Sequence, residues 1–277
     1  MRGFRRESEK IFVVLKNEVF NIGKDMVRLP DGLIERLRDV RSVGAITGAG
    51  VSQESGIRTY RGRDGLYDDP EEGDRTVEAL SGPTLARDPD RTWRAIGALS
   101  RQALNAEPNA GHRALAEIER KVERFALLTQ NVDGLHRLAG SRNVIELHGN
   151  IFMTHCLSCG KAGELAREIL AALNAAPRCD CGGILRPNAV LFGELLPMDE
   201  VTRLREQFYR EVPDLVIAAG TSALFPYITE PVVFARQRGK LTVEINPEPT
   251  LMSGQVDFCL RGNAGEYLPA IQRALPG

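Results

Sequence analysis

The sequence predicts an α/β protein in which a parallel sheet carries helices on both faces and a small zinc-binding insertion interrupts it. Three observations lead there. Short apolar runs at 43–47, 125–129, 144–147, 215–219 and 241–245 have the length and composition of buried strands. Segments of helical periodicity separate them, the alternation that crossover connections of a parallel sheet require. Four of the five cysteines fall in close pairs between 156 and 181, a metal pattern rather than a disulfide framework.

The 277 residues accommodate one large domain, or one large and one small. Hydrophobic residues make up 43% and charged residues 26%, the balance of a globular chain, and the formal net charge of −1 gives no global field for nucleic acid. No apolar stretch approaches the roughly 20 residues of a membrane helix. The run at 11–15, after Arg2, Arg5 and Arg6, is shorter than the core of about 7–15 residues in a signal peptide. The expected location is therefore cytoplasmic, with neither nucleic acid nor membrane as partner.

Residues 1–28 mix charges with short apolar runs and form an extension of unassigned role. Leu29-Pro30-Asp31 reads as a helix entry, followed by Leu33, Ile34, Leu37 and Val40 at helical spacing. The first strand then runs into Gly48-Ala49-Gly50-Val51-Ser52-Gln53-Glu54-Ser55-Gly56. A glycine turn there lets backbone approach a ligand, and a helix opening behind it would aim unpaired N–H groups at phosphate. It reads equally as a tight connection without a ligand. Arg58 and Arg61 follow within reach, and the third glycine at 56 departs from the G-x-G-x-x-G spacing. Residues 62–82, rich in Gly, Asp, Glu and Pro, read as a loop or partly mobile lid. A helix is expected over 90–106, with Trp93, Ile96, Leu99 and Leu104 as apolar positions. Pro108-Asn109-Ala110-Gly111 breaks it, and Asn109 can cap the helix beginning near His112.

The second strand ends at Gln130-Asn131-Val132-Asp133-Gly134, the third at His148-Gly149, the fourth at Gly220-Thr221-Ser222 and the fifth at Asn246-Pro247. Ligands of parallel α/β sheets bind beyond the carboxyl ends of strands, where all these polar clusters fall. His148 there can act as a general base near neutral pH, or simply be a hydrogen-bonded turn residue. Gln130, Asn131 and Asp133 can hold a ribose or a carboxamide, or serve turn chemistry alone. Cys156-Leu157-Ser158-Cys159 and Cys179-Asp180-Cys181 supply four thiolates, the donor set of a closed tetrahedral structural zinc site. Cys259 stands apart and reads as a buried small hydrophobe.

Taken together these motifs resemble the sirtuins, the NAD-dependent protein deacylases, in a bacterial-type form. The matching stretches are Gly48-Ala49-Gly50-Val51-Ser52, Ser55-Gly56, Arg61-Gly62, Pro108-Asn109-Ala110-Gly111-His112 and Thr129-Gln130-Asn131-Val132-Asp133-Gly134-Leu135-His136. His148-Gly149, the four cysteines, Leu185-Arg186-Pro187, Phe192-Gly193-Glu194, Gly220-Thr221-Ser222 and Ile245-Asn246-Pro247 complete the series in the family's order, from about residue 29 to the C-terminus. The resemblance implies a Rossmann-like NAD-binding domain at 29–150 and 185–277, with the zinc-binding insertion at 151–184. It also accounts for the variant glycine spacing.

What it implies for the site follows residue by residue. Gly48, Ala49, Gly50, Ser52, Ser55, Gly56, Tyr60, Arg61, Gln130, Gly220, Thr221, Ser222, Asn246, Pro247, Glu248 and Ala264 would bind the NAD co-substrate. Asn131 and Asp133 would position its nicotinamide ribose and carboxamide. The acyl-lysine carbonyl oxygen would attack the anomeric carbon as nicotinamide leaves. His148 would then deprotonate a ribose hydroxyl, directly or by relay, and the acyl group would move to ADP-ribose. Val190, Phe192, Gly193 and Glu194 would line the acyl-lysine channel, pairing with an extended peptide. Cys156, Cys159, Cys179 and Cys181 would hold one structural zinc. NAD glycohydrolase or mono-ADP-ribosyltransferase activity is the alternative, because Arg58-Thr59-Tyr60 departs from the Pro, Asp and Phe many sirtuins carry. Members of the family that remove acidic acyl groups share such a threonine. They also carry a Tyr and an Arg where an ungapped count back from Pro108 gives Ile96 and Leu99. That apolar pair predicts acetyl or longer apolar acyl groups over succinyl, since a buried carboxylate without a partner is costly.

Overall fold

The computed structural model describes residues 12–15, 18–21, 27–59, 65 and 69–276. The chain opens with β1 (Phe12–Leu15) and β2 (Glu18–Asn21), paired antiparallel. Helix α1 (Asp31–Leu37) leads to β3 (Ser42–Thr47). Helices α2 (Pro70–Ala79), α3 (Gly82–Arg87), α4 (Pro89–Leu104) and α5 (Ala110–Lys121) precede β4 (Arg124–Thr129). Then come α6 (Leu135–Leu138), β5 (Val144–Glu146), β6 (Gly149–Cys156), β7 (Ala162–Glu164), α7 (Arg167–Ala172) and β8 (Leu185–Ala189). Helix α8 (Met198–Leu204) runs into a π-helical turn (Arg205–Arg210) before β9 (Leu215–Ala219). The chain closes with α9 (Pro226–Gln237), β10 (Leu241–Ile245), β11 (Phe258–Leu260) and α10 (Ala264–Ala274).

Six strands form one parallel sheet in the order β11-β10-β9-β3-β4-β5. The five expected strands are all there, and β11 adds a sixth, too short for its three residues to show a pattern. Side chains alternate between faces. Val43, Phe125, Leu127, Leu215 and Ile217 pack with Leu33, Leu115 and Ile271 from α1, α5 and α10. Ile46, Leu128 and Val216 pack on the other face with Phe208, Ile228 and Val232. Each such buried aliphatic side chain contributes roughly 1.5–3 kcal/mol. Strand order reverses beside β3, between its connection to β4 and its pairing with β9, and that switch point opens a crevice at the carboxyl ends.

A second, three-stranded antiparallel sheet has the order β7-β6-β8. It takes in Gly149 and residues 185–189, on either side of the 151–184 stretch. Its core is shared with α4: Trp93 and Ile96 pack with Ile151, Phe152 and Leu170. The Trp93 indole N–H donates to the Leu185 carbonyl at 2.8 Å.

Three expectations need correction. The stretch 62–82 contains helices where a loop was expected. Asp69 accepts from the N–H groups of Glu71 and Glu72, and Pro70 sits in the first turn, so α2 is well capped although Val77 and Ala79 are its only apolar side chains. Behind Gly48 two 3-10 turns (Ala49–Val51 and Gln53–Ser55) stand in place of an α-helix, ended by Gly56 at φ +85°. Cys259 is exposed rather than buried, because the edge strand β11 turns Leu260 inward and its neighbour outward. The helix entry at Asp31 and the Asn109 cap are as the sequence indicates; Asn109 Oδ1 accepts from Gly111 and His112 N–H at 2.9 and 3.3 Å.

Candidate active site

The strand ends meet around one cavity of ≈ 850 Å³ at the switch point. Gly48, Ala49 and Gly50 form one wall after β3, with Gly220, Thr221 and Ser222 beside them after β9. The two turns lie so close that a Cβ on Gly50 would come within 2.8 Å of Gly220 Cα, and one on Gly48 within 2.8 Å of the Gly220 oxygen. Gly50 N–H also donates to that oxygen at 2.8 Å. These glycines thus serve turn-to-turn packing as well as access to the cavity. Asn246, Pro247, Glu248 and Ala264 line the far end. Hydrogen bonds tie the strand ends together: Thr221 Oγ1 donates to Gln130 Oε1 at 2.9 Å, and Asn246 Nδ2 donates to the Thr221 carbonyl at 2.7 Å.

Asn131, Ser52 and Asp133 form a buried network beneath the glycine turn. Asn131 Nδ2 donates to the Gly48 carbonyl and to Ser52 Oγ, both at 3.1 Å. Ser52 Oγ donates to Asp133 Oδ2 at 2.7 Å, and Leu135 N–H donates to Asp133 Oδ1 at 2.9 Å. Burial raises the Asp133 pKa, with these two hydrogen bonds opposing it. Ser52 and Asp133 line a small side cavity of ≈ 50 Å³ together with Asn131. His112 and His136 stand behind, their rings 4.7 Å apart. Burial pushes His112 down to about 4 and His136 well below its ordinary value, so both are neutral. Ser55 does not reach either cavity; its hydroxyl accepts from Asn109 Nδ2 at 3.0 Å, which pins the loop to α5. Gly56 ends that loop, and Tyr60 and Arg61 lie outside the described residues.

His148 follows β5 and lines the main cavity. Its Nδ1 lies 3.1 Å from the Gln130 carbonyl, and its Nε2 lies 2.9 Å from the Tyr227 hydroxyl. A carbonyl can only accept, so Nδ1 carries the proton and Nε2 is the basic nitrogen. Burial lowers the pKa of the ring, and the Gln130 bond partly offsets that. Nothing in the sequence singles out Tyr227 and Phe225, since an aromatic at a helix start carries no signal of its own.

The remaining wall is apolar. Val190, Phe192 and Gly193 line it together with Ile96 and Leu99 from α4. Glu194 also reaches the cavity, yet its carboxylate is engaged. Arg186 donates to it from Nη1 and Nη2 at 3.0 and 2.9 Å, and Leu191 N–H donates to it at 2.9 Å. These bonds hold its pKa below the ordinary value despite partial burial. Glu194 braces the 191–194 turn against β8.

At the tip of the small sheet the four sulfurs of Cys156, Cys159, Cys179 and Cys181 lie within 4.8 Å of one another. Cys156 is drawn down to about 6, chiefly by the backbone N–H of Cys159, which favours thiolate. A Cβ on Gly183 would come within 2.8 Å of Cys156 Sγ, so glycine is needed to fold the knuckle. Four convergent thiols in a closed cluster fit one zinc ion.

The Sir2 family model matches residues 48–225, more than half of the chain. NAD-dependent protein deacylase 2 of Pseudomonas aeruginosa is 44% identical over 245 residues, covering 86% of this chain and 93% of the relative. NAD-dependent protein deacylase 1 of Archaeoglobus fulgidus is 40% identical over 249 residues, covering 88% and 97%. A mutant Sir2 homologue solved with ADP-ribose superposes with a TM-score of 0.79 at 40% identity, covering 89% of this chain and 96% of that one. The chain therefore belongs to the Sir2 family, the sirtuins that its motifs resemble.

Proposed function

We propose that this protein is an NAD-dependent protein-lysine deacylase that transfers the acyl group to ADP-ribose and releases nicotinamide. One observation carries the reading: a single cavity joins the glycine turn, the amide of Asn131, the neutral His148 and an apolar wall. Its substrates are acyl-lysine proteins or peptides, and its location is cytoplasmic. Among the described residues no helix is long and apolar enough to cross a membrane. In this reading residues 29–150 and 185–277 form the NAD-binding domain, and 151–184 the zinc-binding insertion.

NAD supplies the leaving nicotinamide and the ribose that accepts the acyl group. The residues supply position and proton transfer. Gly48, Ala49, Gly50, Gly220, Thr221 and Ser222 seat the ribose and phosphates near the switch point, and Asn246, Pro247, Glu248 and Ala264 seat the distal end. Ser55 and Gly56 support the turn behind Gly48 from outside the cavity, and Tyr60 and Arg61 complete the NAD-binding set that the motifs imply. Asn131, with its amide nitrogen fixed by Gly48 and Ser52, orients the reacting ribose, and Asp133 and Ser52 hold the carboxamide in the side cavity. His148 takes the ribose proton on its Nε2 side. Val190, Phe192, Gly193 and Glu194 hold the acyl-lysine, and the apolar wall excludes water from the acyl chain. Zinc holds Cys156, Cys159, Cys179 and Cys181 together and takes no part in the chemistry.

Product analysis of the purified protein with NAD and an acetyl-lysine peptide tests this. Free lysine peptide, nicotinamide and O-acetyl-ADP-ribose in equal amounts are expected. Nicotinamide and plain ADP-ribose over an unchanged peptide would contradict it and point to NAD hydrolysis.

A further inference from the structure

The basic nitrogen of His148 already has a partner. Its Nε2 accepts from the Tyr227 hydroxyl at 2.9 Å, while Nδ1–H is held by the Gln130 carbonyl. Tyr227 is the second residue of α9, half-buried at the cavity wall. Its ring stacks on Phe225 with centroids 5.1 Å apart and planes 6° from parallel. Both rings meet the imidazole edge-on, at 5.9 and 6.4 Å. Burial pushes the Tyr227 phenol up to about 12, so it remains protonated and donates. A ribose hydroxyl aimed at Nε2 would have to displace this phenol from a stacked, packed position. It can instead donate to the phenol oxygen, which keeps lone pairs to accept with.

We propose that Tyr227 relays the proton from the acyl-accepting ribose hydroxyl to His148. The proposal rests on the deacylase reading. In the step, the ribose O–H bond breaks as its proton bonds to the Tyr227 oxygen. The Tyr227 O–H bond breaks in concert as that proton bonds to Nε2. The phenol is neutral before and after, the imidazole becomes imidazolium, and the ribose oxygen keeps the electron pair that attacks the acyl carbon. The high phenol pKa suits a conduit that never holds a charge.

Tyr227→Phe removes the hydroxyl and leaves the stack. Two rates are compared with an acetyl-lysine peptide: exchange of labelled nicotinamide into NAD, which precedes the proton transfer, and formation of free peptide, which follows it. The relay predicts exchange within about threefold of wild type and free peptide down by about 10²-fold, the usual scale of a lost acid–base group. Free peptide at the wild-type rate or faster overturns the relay and assigns direct transfer to Nε2. Loss of both rates together, with ADP-ribose binding intact, overturns it in favour of a packing role. A proton inventory on single-turnover acyl transfer by the unmodified protein is independent of how the variant folds. A curved dependence on deuterium fraction is expected for two protons in flight, and a straight line overturns the relay. A wild-type protein that leaves every acyl peptide intact would instead bring down the deacylase reading itself.

Discussion

As the proposed base, His148 must be neutral to accept a proton, and burial favours its neutral form. Burial lowers its pKa from the ordinary value of 6.5, and the Gln130 carbonyl raises it back only in part. A base with a lowered pKa keeps its free electron pair to lower pH than an ordinary imidazole. The acid limb of kcat/KM against pH should accordingly have its midpoint below 6.5, and a midpoint at or above that value would contradict the assignment. His148, Asn131 and the glycine turn were legible in the sequence because each sits directly after an apolar strand, so position along the chain gives position in space. Tyr227 was not legible. Its meaning depends on α9 bringing residue 227 to the end of β5, a contact across 79 positions. Glu194 was legible as a cavity residue, but its ion pair with Arg186 rests on the curl of the 191–194 turn, which the sequence does not display.

Among the elements, the join between the two sheets is the most tightly constrained. Gly149, next to His148, opens β6 at φ +77°, and a Cβ there would fall 1.9 Å from the Asn188 carbonyl oxygen. Gly149→Ala should cost roughly 3 kcal/mol or more, from left-handed backbone plus steric overlap. Chemical denaturation measures it, and a change below about 1 kcal/mol would show that β6 and β8 can part there. The zinc knuckle constrains the other end of the same sheet. Removing the metal with a chelator should release one zinc per chain and lower the melting temperature, because four thiolates are then left without their cation. An unchanged melting temperature in the metal-free protein would count against a structural role. Element by element, the buried strands could be read from composition, whereas α2 could not, since capping by Asp69 and Pro70 rather than an apolar stripe defines it. The strand β11 did not stand out as an apolar run, since Asp257 and Arg261 flank its three residues.

At the scale of the whole molecule, the parallel sheet and the small sheet between them form the reaction chamber. The switch point beside β3 supplies the polar half, and α4 with the 189–193 stretch supplies the apolar half. Ile96 and Leu99 both line the cavity, so its acyl side offers no cation or phenol from α4 to an acidic acyl group. Fold class, the order of the motifs and, through the resemblance, the acyl-pocket positions Ile96, Leu99 and 190–194 were legible along the chain; the core that joins α4 to that stretch through Trp93, Ile96 and Ile151 was not, because those contacts form only in the folded chain. What this chamber accepts decides its function. Mass spectrometry of the purified protein with NAD and matched acetyl-, butyryl-, myristoyl- and succinyl-lysine peptides measures it directly. NAD-dependent removal of the apolar acyl groups is expected, each recovered as O-acyl-ADP-ribose, with succinyl slowest. Succinyl removed faster than acetyl would contradict the apolar chamber, and nicotinamide release with every peptide unchanged would contradict the deacylase itself.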